Sequence, residues 1–382
     1  MPAPLHVLCI VGTRPDALKM APVILQLARH PEQARVTLVA TGQHREMLQQ
    51  VLDLFGLQPD VNLDIMQERQ SLAEITCRVL AGLDPILAQE RPDLLLVQGD
   101  TSTTFVGALA AFYHQIPVGH IEAGLRTDNR YDPFPEEINR RLTSALATLH
   151  FAPTEQAVAN LRREGVPLER IHRVGNTVID ALLMIAARPA PEPEPAVAHA
   201  LANGHRIVLV TAHRRENWGE PLRRICAAVR EVARAHPDVA CVFQMHRNPT
   251  VRDIIREELA AEERVTLVEP QDYRAWVHLM QRCTLVLTDS GGIQEEAPAL
   301  GKPVLVMRET TERPEGIAAG TAALVGTQTE AIVTAAHRLL TDAEAYQRMA
   351  RAVNPYGDGH AAERIRDVLF RAHERGELRP TA

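Results

Sequence analysis

Residues 94–122 of the chain read LLLVQGDTSTTFVGALAAFYHQIPVGHIE. Two apolar runs, at 94–98 and 118–122, flank a segment from about residue 103 that is predicted to be helical. Runs without polar alternation are typical of strands that are buried on both faces of a sheet. These residues therefore predict a β-α-β unit, the repeating element of a parallel sheet covered by helices.

The same rhythm precedes this unit. Strands are predicted at residues 5–11 and 36–41, and the helices that follow them at residues 17–29 and 46–55. Ser71 and Glu74 have the spacing of a capping box, in which each side chain binds a free backbone N–H at the start of a helix. The first half of the chain is thus predicted to form one doubly wound α/β unit.

Five later apolar runs repeat the pattern. They are predicted as the strands of a second unit, at residues 207–211, 240–244, 265–268, 285–288 and 303–306. The Pro-rich residues 189–195 cannot continue a helix and are predicted to be a stiff connector. The predicted fold class is α/β, with two doubly wound units in series that would leave a cleft between them. Ligands of such sheets bind beyond the carboxyl ends of the strands, so residues that follow each strand are candidates for function.

The composition narrows the class of protein. Of 382 residues, 46% are hydrophobic and 23% are charged, which is enough apolar material for a sizeable core. The formal net charge of -7 argues against a nucleic-acid or anionic-membrane surface. The longest uncharged stretch, residues 101–121, is too polar to span a bilayer, and the N-terminus lacks the pattern of a secretory signal. The five cysteines have no C-x-x-C spacing and indicate reduced thiols, so we expect a soluble cytoplasmic protein.

Charged side chains follow several of the predicted strands. Asp100, Glu122 and His213 each come at the end of an apolar run. Each has a plainer explanation, since Asp100 suits a helix cap and a single histidine is more often a hydrogen-bonding residue than a catalyst. We favour functional roles because all of them fall at the same edge of the predicted sheets. The two glutamates at 136–137 suit a helix N-terminus, so one of them is expected to be structural.

Residues 290–292, Ser-Gly-Gly, lie where a predicted strand ends and a helix begins. Glycines let the backbone approach a ligand, and the free N–H groups of a helix start attract phosphate. Arg313, with Arg14 and Lys19 from the first unit, would complete an anion site across the cleft. Glu296 would reach ribose hydroxyls, although a surface carboxylate explains it as well. The set predicts a site for a nucleoside diphosphate, with carboxylates nearby for acid–base chemistry.

The sequence lacks the motifs that are typical of several other kinds of reaction. The chain has no G-x-x-x-x-G-K-[ST] and no G-x-G-x-x-G, which disfavours kinase-like chemistry and a tightly held dinucleotide. It also has no G-x-S-x-G nucleophile elbow and no cluster of histidines and cysteines with metal-ligand spacing. We therefore expect neither a metal nor a cofactor.

Five segments resemble the non-hydrolysing UDP-N-acetylglucosamine (UDP-GlcNAc) 2-epimerases of bacteria, in the order in which that family has them. They are residues 11–16 (VGTRPD), 120–127 (HIEAGLRT), 211–217 (TAHRREN), 289–315 (with DSGGIQEE, GKPVLVM and TERPE) and 354–359 (NPYGDG). The resemblance extends from Val7 to Gly359, essentially the whole chain.

The resemblance implies two Rossmann-like domains that face each other across a cleft, as in the B-type glycosyltransferases, and a C-terminal helix that crosses back to the first domain. The implied domains are residues 1–175 with about 360–382, and residues 176–359, so the Pro-rich segment becomes a surface connection of the second. It also implies a cytoplasmic homodimer that needs no cofactor and supplies precursors of surface polysaccharides. Its substrate and product would be UDP-GlcNAc and UDP-N-acetylmannosamine (UDP-ManNAc).

The implied reaction is the reversible interconversion of these nucleotide sugars. The C2 proton of UDP-GlcNAc is not next to a carbonyl, so a carboxylate cannot remove it by forming an enolate. Transient oxidation at C3 would need a nicotinamide, for which the sequence has no fingerprint. Elimination of UDP to 2-acetamidoglucal, followed by re-addition, needs cations on the diphosphate and an acid and a base at the two sugar faces.

Residue by residue, the family's catalytic carboxylates match Asp100, Glu122 and Glu136, and its active-site histidine matches His213. Asp100 and Glu122 would exchange protons with the sugar, and Glu136 would tune or relay. His213 would contact the diphosphate, either as the neutral or as the cationic imidazole. The nucleotide contacts match Arg14, Lys19, Ser290, Gly291, Gly292 and Arg313 for the diphosphate and uridine, Glu296 for the ribose, and Gln271 and Trp276 for the uracil.

Bacterial members also resemble one another in using a second UDP-GlcNAc as an activator. The matching positions are Gln43, Arg69, Gln70, Arg214 and His246. We expect activation through domain closure, since a ligand that prefers the closed state shifts that equilibrium.

Three other functions stay open: a retaining glycosyltransferase of the same architecture, a hydrolysing 2-epimerase that releases free ManNAc, and a non-catalytic sensor of nucleotide sugars. The motifs fit the non-hydrolysing group better than the hydrolysing one. A sensor would have no need for Asp100, Glu122, Glu136 and His213 together.

Overall fold

A computed structural model describes residues 3–42, 45–67, 70–202 and 204–378. Contacts within the chain divide it into two compact units, unit 1 at Met1–Ala181 with Tyr356–Ala382, and unit 2 at Leu182–Pro355. Each unit is built on one parallel sheet whose strands alternate along the chain with helices. The α/β fold class, with two doubly wound sheets, is therefore confirmed.

In unit 1 the strands are β1 (Leu5–Val11), β2 (Ala34–Ala40), β3 (Val61–Asn62), β4 (Leu94–Gln98), β5 (Val118–Ile121), β6 (Leu149–Ala152) and β7 (Ile171–Arg173). The helices among and after them are α1 (Arg14–Ala28), α2 (Arg45–Phe55), α3 (Leu72–Glu90), α4 (Ser102–Tyr113), α5 (Glu136–Leu146), α6 (Glu155–Arg163) and α7 (Thr177–Ala186). The division between the units falls inside α7.

In unit 2 the strands are β8 (Arg206–Thr211), β9 (Val239–Gln244), β10 (Val265–Val268), β11 (Leu285–Thr288), β12 (Val304–Val306) and β13 (Ala322–Leu324). Its helices are α8 (Pro195–Ala202), α9 (Glu220–Ala235), α10 (Pro249–Leu259), α11 (Tyr273–Arg282), α12 (Gly291–Ala299), α13 (Pro314–Ala319), α14 (Thr329–Thr341) and α15 (Ala343–Ala350). The last helix, α16 (Ala361–Glu374), belongs to unit 1.

Both sheets have the strand order of a Rossmann fold. The order is β3-β2-β1-β4-β5-β6-β7 in unit 1 and β10-β9-β8-β11-β12-β13 in unit 2, and all neighbouring pairs are parallel. The order reverses between β1 and β4 and between β8 and β11. Such switch points are where open α/β sheets bind ligands. The segments that follow these four strands are therefore the ones the topology places at a binding edge.

Local capping explains where two of the helices begin. The Ser71–Glu74 capping box is confirmed at the start of α3, with 2.7 Å from Ser71 N to Glu74 Oε2. Helix α1 begins at Arg14, earlier than predicted, because Thr13 and Asp16 form a second capping box and Pro15 suits a first helical turn. None of the described helices combines the length and the apolar character needed to cross a bilayer.

Hydrogen bonds explain where unit 1 ends. Asn176 N donates to Tyr356 O at 2.6 Å. The buried Asp180 carboxylate accepts from the first backbone N–H groups of α16, those of Ala361 and Ala362, at 3.2 and 2.8 Å. These bonds join Asn176 and Asp180 to the C-terminal segment, and both residues lie in unit 1 with it.

Candidate active site

Glu122 lies directly after β5 and receives donors from three parts of unit 1. Lys19 Nζ, on α1, is 2.6 Å from both carboxylate oxygens. Gln98 Nε2 donates at 2.6 Å and Asn176 Nδ2 at 2.9 Å. Lys19 therefore supplies a cation, and Gln98 and Asn176 supply two amide donors, to the same carboxylate. Lys19 was assigned to the diphosphate from sequence, whereas the structure places its ammonium group on Glu122.

Asp100 follows β4, the strand next to β5, and its carboxylate forms an ion pair with Arg140 of α5. Its side chain is 30% exposed, so a ligand can reach it. Asn139 Nδ2 donates to the Asp100 carbonyl oxygen at 3.0 Å, which anchors the backbone of the loop. The structure therefore brings two cation-paired carboxylates, Asp100 and Glu122, to the ends of adjacent strands.

The two glutamates that begin α5 have different surroundings. Glu136 is half-buried, and its carboxylate has no hydrogen bond to the part of the chain that the structure describes. Glu137 is fully buried and accepts from Thr127 N at 3.1 Å, Arg140 Nη1 at 3.2 Å and Arg141 Nε at 2.9 Å. Glu137 is therefore the glutamate with a structural role, and the carboxylate of Glu136 is the one that a ligand can reach.

Sequence reasoning assigned no role to Asp16, which the structure places at the switch point of unit 1. Its Oδ2 accepts from Thr13 N at 3.0 Å, from Gly12 N at 3.3 Å and from Thr101 Oγ1 at 3.2 Å. Complete burial raises the pKa of Asp16 to about 7, and the charge of Asp100 adds to the shift. The capping-box spacing from Thr13 was the sequence signal for this residue.

This buried carboxyl makes stability depend on pH. Because the pKa of Asp16 is about 7 in the folded protein and 3.8 ordinarily, its contribution is complete below about pH 4 and is lost as the pH rises through 7. Asp16→Asn keeps an acceptor for the cap and should reduce the loss between pH 5 and pH 8 by up to about 3 kcal/mol, because about two pH units of the shift lie in that interval. Urea denaturation at pH 5 and pH 8 measures the difference.

A matched control is Asp60→Asn, since Asp60 is an exposed carboxylate that also accepts a backbone N–H, from Leu38 at 2.7 Å. This variant should keep the pH dependence of the wild type. Asp180, whose pKa burial raises to about 6, acts in the same direction and stays in both proteins. If Asp16→Asn lost as much stability between the two pH values as the wild type, Asp16 would not be the cause.

His213 follows β8 at the switch point of unit 2, where it meets Asp289 at the end of β11. His213 Nδ1 is 3.2 Å from Asp289 Oδ1, and the ring stacks on His246 with centroids 5.7 Å apart. Burial lowers the pKa of His213 below its ordinary 6.5, and the charge of Asp289 opposes the shift. The free protein therefore holds this ring neutral near pH 7, although it is only half-buried by its neighbours.

Two guanidinium groups flank the first residues of α12. A Cβ atom at Gly291 would lie 3.6 Å from Arg214 Nη2 and 4.0 Å from Arg313 Cζ. Gly291 and Gly292 follow Ser290, the N-cap of this helix, so free backbone N–H groups and two cations meet at one place. Arg313 also forms an ion pair with Glu295. This arrangement suits a diphosphate, and it includes Arg214, which the sequence assigned to the activator.

The residues assigned to ribose and uracil are mostly buried. Glu296 is 7% exposed and accepts from Tyr273 Oη at 3.2 Å. Trp276, on α11, is 6% exposed and leaves little ring surface for a base to stack on. Gln271 is half-buried, and its N–H donates to Gln244 Oε1 at 3.0 Å. Tyr273 and Gln244 are neighbours of this group that sequence reasoning missed.

The described residues assigned to an activator fall in both units. Gln43 and Arg69 lie outside the described residues. Gln70 is in unit 1 and accepts from Gln67 N at 3.2 Å. His246 and Arg214 are in unit 2, around His213 and the start of α12.

Two other features of the described residues bear on what the protein could bind. They contain no group of three or more histidine, cysteine, aspartate or glutamate side chains placed to hold a metal ion. A cavity of about 750 Å³ lies in unit 2, lined largely by α14 and α15 with residues such as Ala335 and Met349. None of the residues assigned from sequence lines it.

Comparison with known proteins places the chain in a family. The family model described as UDP-N-acetylglucosamine 2-epimerase matches residues 26–370. UDP-N-acetylglucosamine 2-epimerase of Yersinia pestis is 53% identical over 371 residues, which are 96% of this chain and 98% of the relative.

Solved structures agree over nearly the whole length. The UDP-GlcNAc 2-epimerase of Neisseria meningitidis, bound to UDP-GlcNAc, is 47% identical with a TM-score of 0.85 and covers 96% of this chain and 100% of its own. The MnaA–UDP structure from S. aureus is 43% identical with a TM-score of 0.84 and covers 97% of both chains. Since the sequence match and the fold match both extend across the two units, this chain belongs to the UDP-N-acetylglucosamine 2-epimerase family.

Proposed function

We propose that this protein interconverts UDP-GlcNAc and UDP-ManNAc by eliminating UDP to 2-acetamidoglucal and adding it back. The observation that carries the proposal is the pair of carboxylates at the ends of β4 and β5, Asp100 and Glu122, each held by a cation. Family membership supplies the substrate, since relatives of similar sequence bind UDP-GlcNAc and UDP.

In this reaction a carboxylate takes the C2 proton, and the electrons of that C–H bond form the C1–C2 double bond of the glycal. The bond between C1 and the phosphate oxygen breaks, and UDP leaves with its electron pair. In the return step the same oxygen attacks C1 while an acid delivers a proton to the opposite face of C2. The balance needs no outside oxidant or reductant, only a base, an acid and cations for the departing diphosphate.

The described residues include groups of each of these types. Asp100 and Glu122 would exchange protons with the sugar, and the accessible Glu136 would relay protons. Arg214, Arg313 and the start of α12 would bind the diphosphate, and these groups would stabilise the UDP anion as the bond breaks.

The wider setting follows from the family. We propose that the enzyme acts in the cytoplasm as a homodimer, supplies precursors of surface polysaccharides, and is activated by a second UDP-GlcNAc. Sedimentation equilibrium tests the dimer. Addition of UDP-GlcNAc to the reverse reaction tests the activation, which a rate unchanged by that addition would contradict.

The test of the function is a reaction in heavy water followed by proton NMR. Starting from UDP-GlcNAc, we expect UDP-ManNAc that carries deuterium at C2, with a trace of 2-acetamidoglucal, because the proton removed at C2 is replaced from solvent. With oxygen-18 in the C1–O–P bridge, the label should spread into non-bridging oxygens of the same phosphate.

Each alternative function has its own outcome in this experiment. Free ManNAc and UDP would indicate a hydrolysing enzyme, and UDP released only when an acceptor sugar is present would indicate a glycosyltransferase. UDP-GlcNAc bound without exchange would indicate a sensor. UDP-ManNAc that keeps its original C2 hydrogen would refute the elimination.

A further inference from the structure

Asp289 directly follows β11 and is fully buried. Its Oδ2 accepts from the backbone N–H groups of His213 and Arg214, both at 2.8 Å, and from Asn217 Nδ2 at 3.0 Å. One carboxylate oxygen therefore fixes the backbone of the loop that follows β8 and carries His213.

The other oxygen of this carboxylate has a different position. Asp289 Oδ1 has no hydrogen-bond partner within the described residues, and it lies 3.2 Å from His213 Nδ1. The distance allows a hydrogen bond, although the ring is not aligned for one. Since a buried carboxylate oxygen without a partner is costly, a small turn of the imidazole that brings Nδ1–H onto Oδ1 lowers the free energy.

An imidazole that donates through Nδ1 keeps its lone pair on Nε2. We infer that Asp289 is a positioning residue that holds His213 in the Nδ1–H form, so that Nε2 takes up a proton from solvent when a diphosphate binds. The inference rests on the proposed function and on the assignment of His213 to the diphosphate that the family resemblance implies. The protonated ring is then shared between two anions, the Asp289 carboxylate and the diphosphate, and donates a charge-assisted hydrogen bond to each.

The charges around His213 explain why the ring is protonated only when the ligand binds. In the free protein, burial, Arg214 and His246 disfavour the cation, whereas Asp289 and Glu216 favour it, and the net effect lowers the pKa of His213. A bound diphosphate adds negative charge at the same place and reverses the balance. The neutral ring of the free protein and the cationic ring at the diphosphate are thus two states of one site.

The first measurement is the tautomer of His213 in the wild-type protein, from the nitrogen-15 shifts of the ring, with His213→Gln identifying the signal. We expect Nδ1–H in the free protein near pH 7. The Nε2–H form would overturn the inference. This measurement of the tautomer uses no variant of Asp289.

The second measurement is proton uptake on UDP binding, by calorimetry in buffers of different ionisation enthalpy. The wild type should take up protons near pH 7 when UDP binds. The uptake measured with His213→Gln gives the contribution of UDP itself, and the wild type should exceed it. In Asp289→Asn the amide NH₂ faces Nδ1 and inverts the tautomer, so the uptake should vanish and UDP should bind roughly tenfold more weakly.

A double variant, Asp289→Asn with His213→Gln, shows whether Asp289 affects UDP binding through His213 or through a general loss of structure. The double variant should bind UDP as weakly as His213→Gln alone, whereas independent losses that add would overturn the inference. Asp238→Asn removes a carboxylate beside another histidine of unit 2, His236, and should leave the proton uptake unchanged. Because none of these measurements depends on turnover, failure of the epimerase reaction would not alter their reading.

Discussion

Glu122→Gln should lower the epimerase rate by roughly 10²–10⁴-fold, the range typical of a lost acid–base group. The amide keeps the shape of the side chain but cannot take the C2 proton. It also removes a counter-charge of the Lys19 ammonium, which is 18% exposed, so the substitution affects stability as well. The rate is therefore measured below the thermal transition of the variant. Asp100→Asn should have an effect of similar size, because the proposed reaction needs a group at each face of the sugar.

A matched control for both variants is Glu90→Gln. Glu90 ends α3 and forms an ion pair with Arg35 at 2.7 Å, so its loss also removes a paired carboxylate from unit 1. It does not lie at a strand end, and its rate should stay near that of the wild type. Near-normal turnover in Glu122→Gln and Asp100→Asn alike would mean that other carboxylates do the chemistry.

Gly124→Ala should lower the free energy of unfolding by about 3 kcal/mol or more, from the sum of a left-handed backbone and overpacking. Gly124 comes two residues after Glu122 and has a φ of 91°. A Cβ atom there would lie 2.3 Å from the backbone carbonyl oxygen of Ala157, which cannot move away without displacing α6. Urea denaturation followed by circular dichroism measures the loss.

Gly165→Ala separates the two causes. Gly165 has a φ of 87°, close to that of Gly124, but no atom lies within 4 Å of an added Cβ. Its substitution should show the backbone strain alone, about 1–2 kcal/mol. Equal losses in the two variants would show that the contact with Ala157 is not what makes Gly124 necessary. Gly124→Ala should also lower the epimerase rate of the folded protein, because the displaced loop carries Glu122.

Local patterns predicted much of the fold. Apolar runs located the central strands of both sheets, and β10 and β11 begin and end where the runs do. The short strands β3, β6, β7 and β13 were missed, because two to four residues, some of them polar, as His150 and His172 are, carry little periodic signal. Their place in the sheet depends on pairing with neighbours that are distant in sequence.

The candidate site was likewise predicted in part from the sequence and decided in part by the tertiary structure. Because the carboxyl ends of parallel strands meet at one edge, the sequence by itself was enough to put Asp100, Glu122 and His213 at such edges. Only the tertiary structure decided their partners: Lys19 reaches Glu122 across 103 positions, and Asp289 reaches the His213 backbone across 76. The physical reason is that strand and helix periods are properties of consecutive residues, whereas burial and charge pairing depend on which segments the folded sheet makes neighbours.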